Sequence, residues 1–515
     1  MNAGVVDRRD RVLAMAGLCA VVLFSATLFA RRAATLPFWY DEMLTVRLSR
    51  LDSVGELWRA LTSGFEFTPP LGYLATKAAR WLPGPETLTL RAPPLLGYVL
   101  LAGMLFLFLA RRLGPWFALS AVALLPLAPY TITYAVEARP YMLLLGISGC
   151  ALAFWQATID ADDRRARPVA APVGLTVSVA LALLLHVWAI LLPLALVAGE
   201  LVALVRTSRI RWRVIAALAA AAPVIGLYPA LLRASRTLVF GGPVYEPSLQ
   251  RLYASITSDV PRLRVVLGAL IAATTVGWWQ RRRGADTNQG EGFRPEEFVV
   301  LAALLLSPIV PYLYAEIARV AFMPRYAMFG LPAVVCLAGA AMHSAAGGRR
   351  LAGKCAAAVT LLGLLLYLPP KVTVTDRRFG LMENLAWAYD VLDPSVPIVL
   401  VNPVDVLPFD EQASDGQRRR TLFVADPERA LEDTGTNGID LGYVRGEPYL
   451  KLRTRRVSYE ALGAGHSRLY LAGKWQALCW LPQRLERDGW RLSRIGGSAQ
   501  VPVFEGTRPV RPTEP

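Results

Sequence analysis

Apolar residues along this chain fall into long, nearly uninterrupted runs rather than into stripes of helical or strand period. After Arg8, Arg9 and Arg11, a run from Val12 to Ala30 is followed by ten more, near 92–110, 115–134, 141–158, 169–186, 188–205, 214–231, 263–280, 298–314, 327–343 and 352–369. Runs of roughly 17 to 20 residues cross a bilayer core of about 30 Å as helices. The pattern predicts a mainly α, polytopic membrane bundle of about 11 helices, in which the first run is a retained helix rather than a cleaved signal peptide. Pro126 and Pro129 are expected to kink the third span.

Two stretches break the pattern. The connection from about 31 to 91 is long for a link between neighbouring spans and contains amphipathic pieces, Val54 to Leu61 and Tyr73 to Trp81, which read as interfacial helices anchored by Trp58 and Trp81. From Lys371 onward, polar turns separate short apolar strands, Ile398 to Val401, Leu422 to Ala425 and Leu469 to Ala472, and helix candidates near 381–392 and 475–487. The division predicted is a transmembrane unit, 1–370, and a small soluble α/β domain, 371–515, ending in a disordered Pro-, Arg- and Thr-rich tail.

Charge orients this arrangement. Residues 1–370 carry 35 Lys+Arg against 20 Asp+Glu, and residues 371–515 carry 20 against 19, so the basic excess belongs to the membrane part. Arg111-Arg112, Arg164/Arg165/Arg167, Arg206/Arg209/Arg211/Arg213, Arg281 to Arg283 and Arg349/Arg350/Lys354 punctuate alternate connections, the positive-inside signature. That places the N-terminus in the cytoplasm and everything after Pro370 outside. Because the arginines sit between apolar spans, orientation and anionic membrane lipids account for them, and nucleic acid is not an expected partner. Five scattered cysteines without a CxxC imply no disulfide frame, and three histidines are too few for a multi-histidine metal centre or a Ser/His/Asp triad.

On the predicted outer face fall four segments able to do chemistry: Phe38-Trp39-Tyr40-Asp41-Glu42, Phe67-Thr68-Pro69-Pro70-Leu71-Gly72-Tyr73, Tyr134 to Tyr141 with Glu137 and Arg139, and Pro324-Arg325-Tyr326. Carboxylates beside hydrocarbon are costly unless solvated or paired, so an acidic pair at the mouth of a bundle marks a functional-site candidate against the plainer reading of a solvated interface loop. His186, beside Trp188, reads as a packed interface histidine. A transporter or lipid flippase is the rival class. Transporters show midplane charges or paired broken helices in two related halves, whereas here Glu200 is the one acid well inside a span and no half-to-half repeat is apparent.

In their order and shared face these segments resemble the GT-C superfamily of membrane glycosyltransferases, specifically the bacterial group similar to protein O-mannosyltransferases and aminoarabinose transferases. In that group an Asp-Glu pair opens the first outer loop, a [His/Lys]-Pro-Pro-Leu-x-Tyr segment follows, and a Glu-Ala-Arg-x-Tyr segment starts a later helix. The resemblance covers about residues 10 to 370, with one departure: Thr68 stands where many relatives carry His or Lys. It implies a bacterial inner-membrane enzyme that moves one sugar, by inversion, from a polyprenyl-phosphate donor to a lipid, a lipid-linked glycan or a protein on the extracytoplasmic side. Asp41 is then the candidate base, with Glu42 positioning it or raising its pKa by like charge. Arg139 and Arg325, with Lys77 as a third cation, are candidate grips on the donor phosphate. Tyr40, Pro69, Pro70, Tyr73, Tyr141 and Tyr326 are expected to form the pocket. Glu137 either orients Arg139 or joins Asp41 in holding a divalent cation. No cofactor is required, and transfer is expected to be metal-independent or weakly metal-assisted.

Overall fold

The computed structural model describes residues 8–164, 169–241, 245–283, 291–318, 320–373 and 381–508. Arg165, Arg167 and the final Pro- and Arg-rich residues lie outside them.

Every apolar run is helical, but not every one is a single long helix. Seven helical segments are long and apolar enough to span a membrane: Arg8–Thr35, Ala92–Leu113, Tyr141–Asp163, Val187–Thr207, Trp212–Ser235, Leu263–Arg282 and Arg350–Val372. The pair Pro295–Leu306 and Ile309–Ala318, bent by 41°, makes an eighth if counted as one span. Length and composition alone single out seven or eight crossings among the described residues, and three shorter apolar helices, Pro115–Leu127, Ala170–Leu185 and Gly330–Ala346, hold the remaining runs. Proline accounts for much of the difference, since it removes an N–H and clashes with the preceding turn. Pro308 sits in the 41° bend. In the third run the helix stops at Val122, passes through a 3-10 turn at Leu125–Leu127 and restarts at Pro129–Tyr134, so Pro126 and Pro129 break this segment rather than kink it. The fifth run ends where His186 adopts an extended conformation.

At one end of the bundle the basic residues are paired rather than free. Arg112 donates to Asp160 at 2.6 Å and to Glu297 at 2.9 Å, joining three helices far apart in sequence. Glu200 accepts from Trp155 Nε1 at 2.7 Å and lies 3.6 Å from Arg211. Asp10 is buried beside Arg350 and Lys354. A charge inside a bundle survives only when matched in this way.

The long first connection forms the helices Tyr40–Ser49, Val54–Thr62 and Leu71–Ala79. Trp81 is 86% exposed, as an interfacial anchor requires. Trp58 instead packs half-buried against a core shared with the C-terminal region, so it is an internal contact rather than an anchor.

Residues 398–507 build one six-stranded sheet. Its strands are β1 (Ile398–Leu400), β2 (Thr421–Val424), β3 (Arg455–Val457), β4 (Arg468–Ala472), β5 (Arg491–Gly497) and β6 (Pro502–Thr507), in the order β3-β2-β1-β4-β6-β5. The first four are parallel and β6 and β5 close an antiparallel edge. The expected helix 475–487 starts only at Trp480.

A buried ion pair fastens this region to the first connection. Asp410, fully buried, accepts from Arg47 Nη2 at 2.9 Å, from the backbone N–H groups of Arg453 and Thr454 at 2.9 and 2.6 Å, and from Thr454 Oγ1 at 2.7 Å. Removing one partner of such a pair leaves an uncompensated buried charge, which costs ~3–5 kcal/mol. Arg47→Met is therefore expected to lower the thermal unfolding midpoint of the detergent-solubilised protein markedly, whereas Arg233→Met, on an exposed cation, leaves it within error.

Candidate active site

Asp41 and Glu42 are neighbours in sequence and opposites in space. They open the helix Tyr40–Ser49, and successive helical residues project about 100° apart, so one faces a cavity while the other turns into protein. The carboxylate of Glu42 is fully buried. It accepts from the Trp39 N–H at 3.3 Å, capping its own helix, from Arg91 Nε and Nη2 at 2.7 and 2.8 Å, and from the Ala138 N–H at 2.7 Å. Arg91 in turn donates to the carbonyls of Ala33, Leu36 and Pro37 at 2.6, 2.6 and 3.0 Å, and lies over the Phe38 ring at 4.7 Å. Glu42 is thus not a cavity residue, and the role of tuning Asp41 from within the site gives way to that of a hub. It locks the end of the first span, the start of the next helix and the turn before Arg139.

The cavity has a volume of about 350 Å³ and is lined by Asp41, Arg139 and Arg325 together with Tyr40, Tyr141 and Tyr326. Asp41 Oδ2 lies 2.9 Å from Arg325 Nη1. Arg139 Nη1 donates to the Asp41 carbonyl oxygen and to Thr45 Oγ1, both at 3.2 Å. The Tyr141 ring lies 5.7 Å from the Arg139 guanidinium and 5.9 Å from that of Arg325, an aromatic face shared by two cations. Both arginines keep their Nε buried without a hydrogen-bond partner among the described residues. Burial, and then the Asp41 charge, holds the Tyr40 phenol well above its ordinary pKa.

A second carboxylate shares the cavity. Glu66 Oε1 accepts from the N–H groups of Phe67 and Thr68 at 3.0 and 3.2 Å and from Thr68 Oγ1 at 2.8 Å, and Oε2 lies 3.8 Å from Arg139. Sequence reasoning missed it, although Phe65-Glu66-Phe67 repeats the signal that marked Asp41, an acid between aromatics. His186 is packed, as expected, between Tyr141 and Tyr326, with ring centroids 5.7 and 5.8 Å away, yet it also lines the cavity.

Other sequence candidates lie outside the lining. The ammonium of Lys77 donates to the Leu51 and Asp52 carbonyls, closing the first loop rather than facing the cavity. Pro69, Pro70 and Tyr73 form the scaffold beneath: a Cβ at Gly72 would sit 3.0 Å from Pro140, so this segment packs tightly under the turn that presents Arg139. Glu137 is buried two residues from Arg139 and does not line the cavity with Asp41. No group of three His, Cys, Asp or Glu suited to a metal ion occurs among the described residues. One further wall, with Val404, Ile439, Gly442 and Tyr443, comes from the C-terminal region and carried no signal in sequence.

No protein-family model and no curated protein matches this sequence. Among solved structures, ArnT from Cupriavidus metallidurans is similar over nearly its whole length. The apo form gives a TM-score of 0.56 at 16% identity, covering 96% of this chain and 98% of that chain. The form bound to undecaprenyl phosphate gives 0.53 at 16% identity, covering 96% and 97%. The chain has the fold of this aminoarabinose transferase, a GT-C membrane glycosyltransferase.

The division of labour within the acidic pair has a measurable consequence. Glu42→Gln leaves Arg91 without its counter-ion inside the protein, and is expected to cost ~3–5 kcal/mol of stability. Asp41→Asn, which removes the partner of Arg325 at the partly open cavity, should lower the unfolding midpoint less. Equal midpoints for the two variants would deny Glu42 the role of hub.

Proposed function

We propose that this protein is a polyprenyl-phosphate-sugar-dependent glycosyltransferase that moves one sugar to a hydroxyl of a lipid, a lipid-linked glycan or a protein at the extracytoplasmic face of the bacterial inner membrane. The observation that carries this reading is the pairing, in one cavity, of a carboxylate with two guanidiniums whose Nε groups have no hydrogen-bond partner among the described residues. A wall of apolar side chains from candidate spans, Leu232 and Trp188 among them, borders the same cavity. The fold shared with ArnT, one structure of which holds undecaprenyl phosphate, supports it.

In this reading the lipid lies along the apolar wall, and Arg139 and Arg325 hold the phosphate as planar, two-pronged donors. Asp41 takes the proton of the acceptor hydroxyl as its oxygen attacks the anomeric carbon from the face opposite the leaving group. The bond from that carbon to the phosphate oxygen breaks with its electron pair, and the charge developing on the phosphate meets the two arginines. The configuration inverts. Residues 371–515 form the extracytoplasmic unit that closes the site.

Asp41→Asn preserves shape and removes basicity, so turnover in a reconstituted assay is expected to fall by ~10²–10⁴ while undecaprenyl phosphate still binds. Near-normal transfer would move the base to Glu66. Arg139→Lys and Arg325→Lys should each weaken undecaprenyl phosphate by ~1.5–3 kcal/mol per lost charge-assisted bond, without the rescue expected of a simple point charge. Phosphatase and fluorescent-protein fusions after Arg283 and after Pro370 should report opposite sides of the membrane.

A further inference from the structure

The helix Gly438–Leu450 carries glycines at 438, 442 and 446, one every helical turn and therefore along one face. A mid-helix glycine destabilises the helix relative to alanine, so each calls for a reason. Two have a packing reason. A Cβ at Gly438 would lie 2.3 Å from the Phe240 ring, and one at Gly446 would meet Leu450 at 2.9 Å and Phe65 at 3.1 Å. Gly442 has none: a Cβ there meets nothing within 4 Å among the described residues, and the residue lines the cavity.

The face is held firmly. Asn437 Oδ1 accepts from the Val239 N–H at 2.7 Å, and Thr436 Oγ1 donates to the Val239 carbonyl at 2.8 Å. Arg445 Nη1 donates to the carbonyls of Gly64 and Ala234 at 3.4 and 3.3 Å. Tyr443, hydrogen-bonded to the Pro403 carbonyl at 2.7 Å, stands 6.3 Å ring to ring from Tyr40, the neighbour of Asp41. This wall therefore borders the carboxylate. An independent observation says that the cavity awaits a ligand: Arg139, 7% exposed, lines it with a buried Nε that has no hydrogen-bond partner among the described residues.

Resting on the reading of the site as one for a polyprenyl-phosphate sugar, we infer that the sugar ring of the donor lies against Ile439, Gly442 and Tyr443, and that the missing side chain at Gly442 sets the largest sugar accepted. The apolar wall from the spans suits the isoprenoid chain, and the arginines suit the phosphate. What remains for the sugar is the uncharged wall beside Asp41. Tyr443 offers an aromatic ring to its apolar C–H groups, and Gly442 leaves room for a ring substituent.

The test uses the purified full-length protein and three probes: undecaprenyl phosphate, undecaprenyl phosphate carrying a pentose, and undecaprenyl phosphate carrying a hexose. Gly442→Leu is expected to bind undecaprenyl phosphate as wild type does and to lose at least about tenfold in affinity for whichever sugar-bearing probe wild type prefers, a change of about 1.4 kcal/mol. Gly442→Ala, which favours the helix and so guards against misfolding, is expected to show a smaller loss in the same direction, greater for the hexose than for the pentose. Equal weakening of all three probes would overturn the inference by placing Gly442 beside the phosphate or lipid. Unchanged binding of all three by both variants would overturn it by placing the sugar elsewhere. Failure of wild-type protein to bind undecaprenyl phosphate at all would overturn the donor reading and this inference with it, a result distinct from either.

Discussion

The site depends on a carboxylate that never touches it. Glu42 is sealed inside the protein, where an ionised group is tolerated only if its hydrogen-bonding capacity is filled, and Arg91 and two backbone N–H groups fill it. Because those partners belong to segments far apart in the chain, satisfying one charge sets the relation between them. The helix that carries Asp41 and the turn that carries Arg139 are both registered to this group, Arg139 being the residue after Ala138. The Asp41 carboxylate and the Arg139 guanidinium are thereby built on one anchor, the preorganisation that the proposed base and phosphate grip would require.

The C-terminal region enters by the same kind of bond. Arg47 leaves the helix that begins with Tyr40, Asp41 and Glu42 and ends on Asp410, whose remaining lone pairs are taken by Arg453 and Thr454. Backbone pairing of Phe240 with Thr436 adds a second attachment from the strand-like link after Ser235. The helix Gly438–Leu450 is thus positioned from both sides, and the cavity is a joint product of several stretches of sequence, none of which encloses it alone.

This explains what could be read in the chain beforehand. Helix positions followed from runs of apolar residues, because lipid imposes a length and a composition that leave a plain trace. Asp41, Arg139, Arg325, Tyr141 and Tyr326 were found because aromatic-flanked charges on one face are rare in such a chain, and the fold brings them to one cavity. Direction was not legible. Whether Asp41 or Glu42 faces inward depends on the helix phase set by Arg91, and Lys77 is consumed by carbonyls that a sequence does not show to be near. Glu66 carried the right signal in a segment whose prolines drew the attention. Gly442 and Tyr443 carried none, since their nearness to Asp41 exists only once Asp410 and Asn437 have docked the C-terminal region. Helix continuity within the runs was not legible either, because a proline costs little in hydropathy and a great deal in helix continuity.

The ion-pair cluster around Arg112 bears on how such a chain is made. Arg112 ends the second span, Asp160 lies near the end of the helix Tyr141–Asp163, and Glu297 lies 185 residues after Arg112. During synthesis the segments leave the ribosome in that order, so Arg112 must wait for both its counter-ions, first one and then the other. Until Glu297 emerges, the early helices hold an incompletely matched charge beside hydrocarbon and are poor candidates for independent release into lipid. A feature that looks like static glue in the finished protein is thereby one whose last component is among the later parts of the bundle to be made.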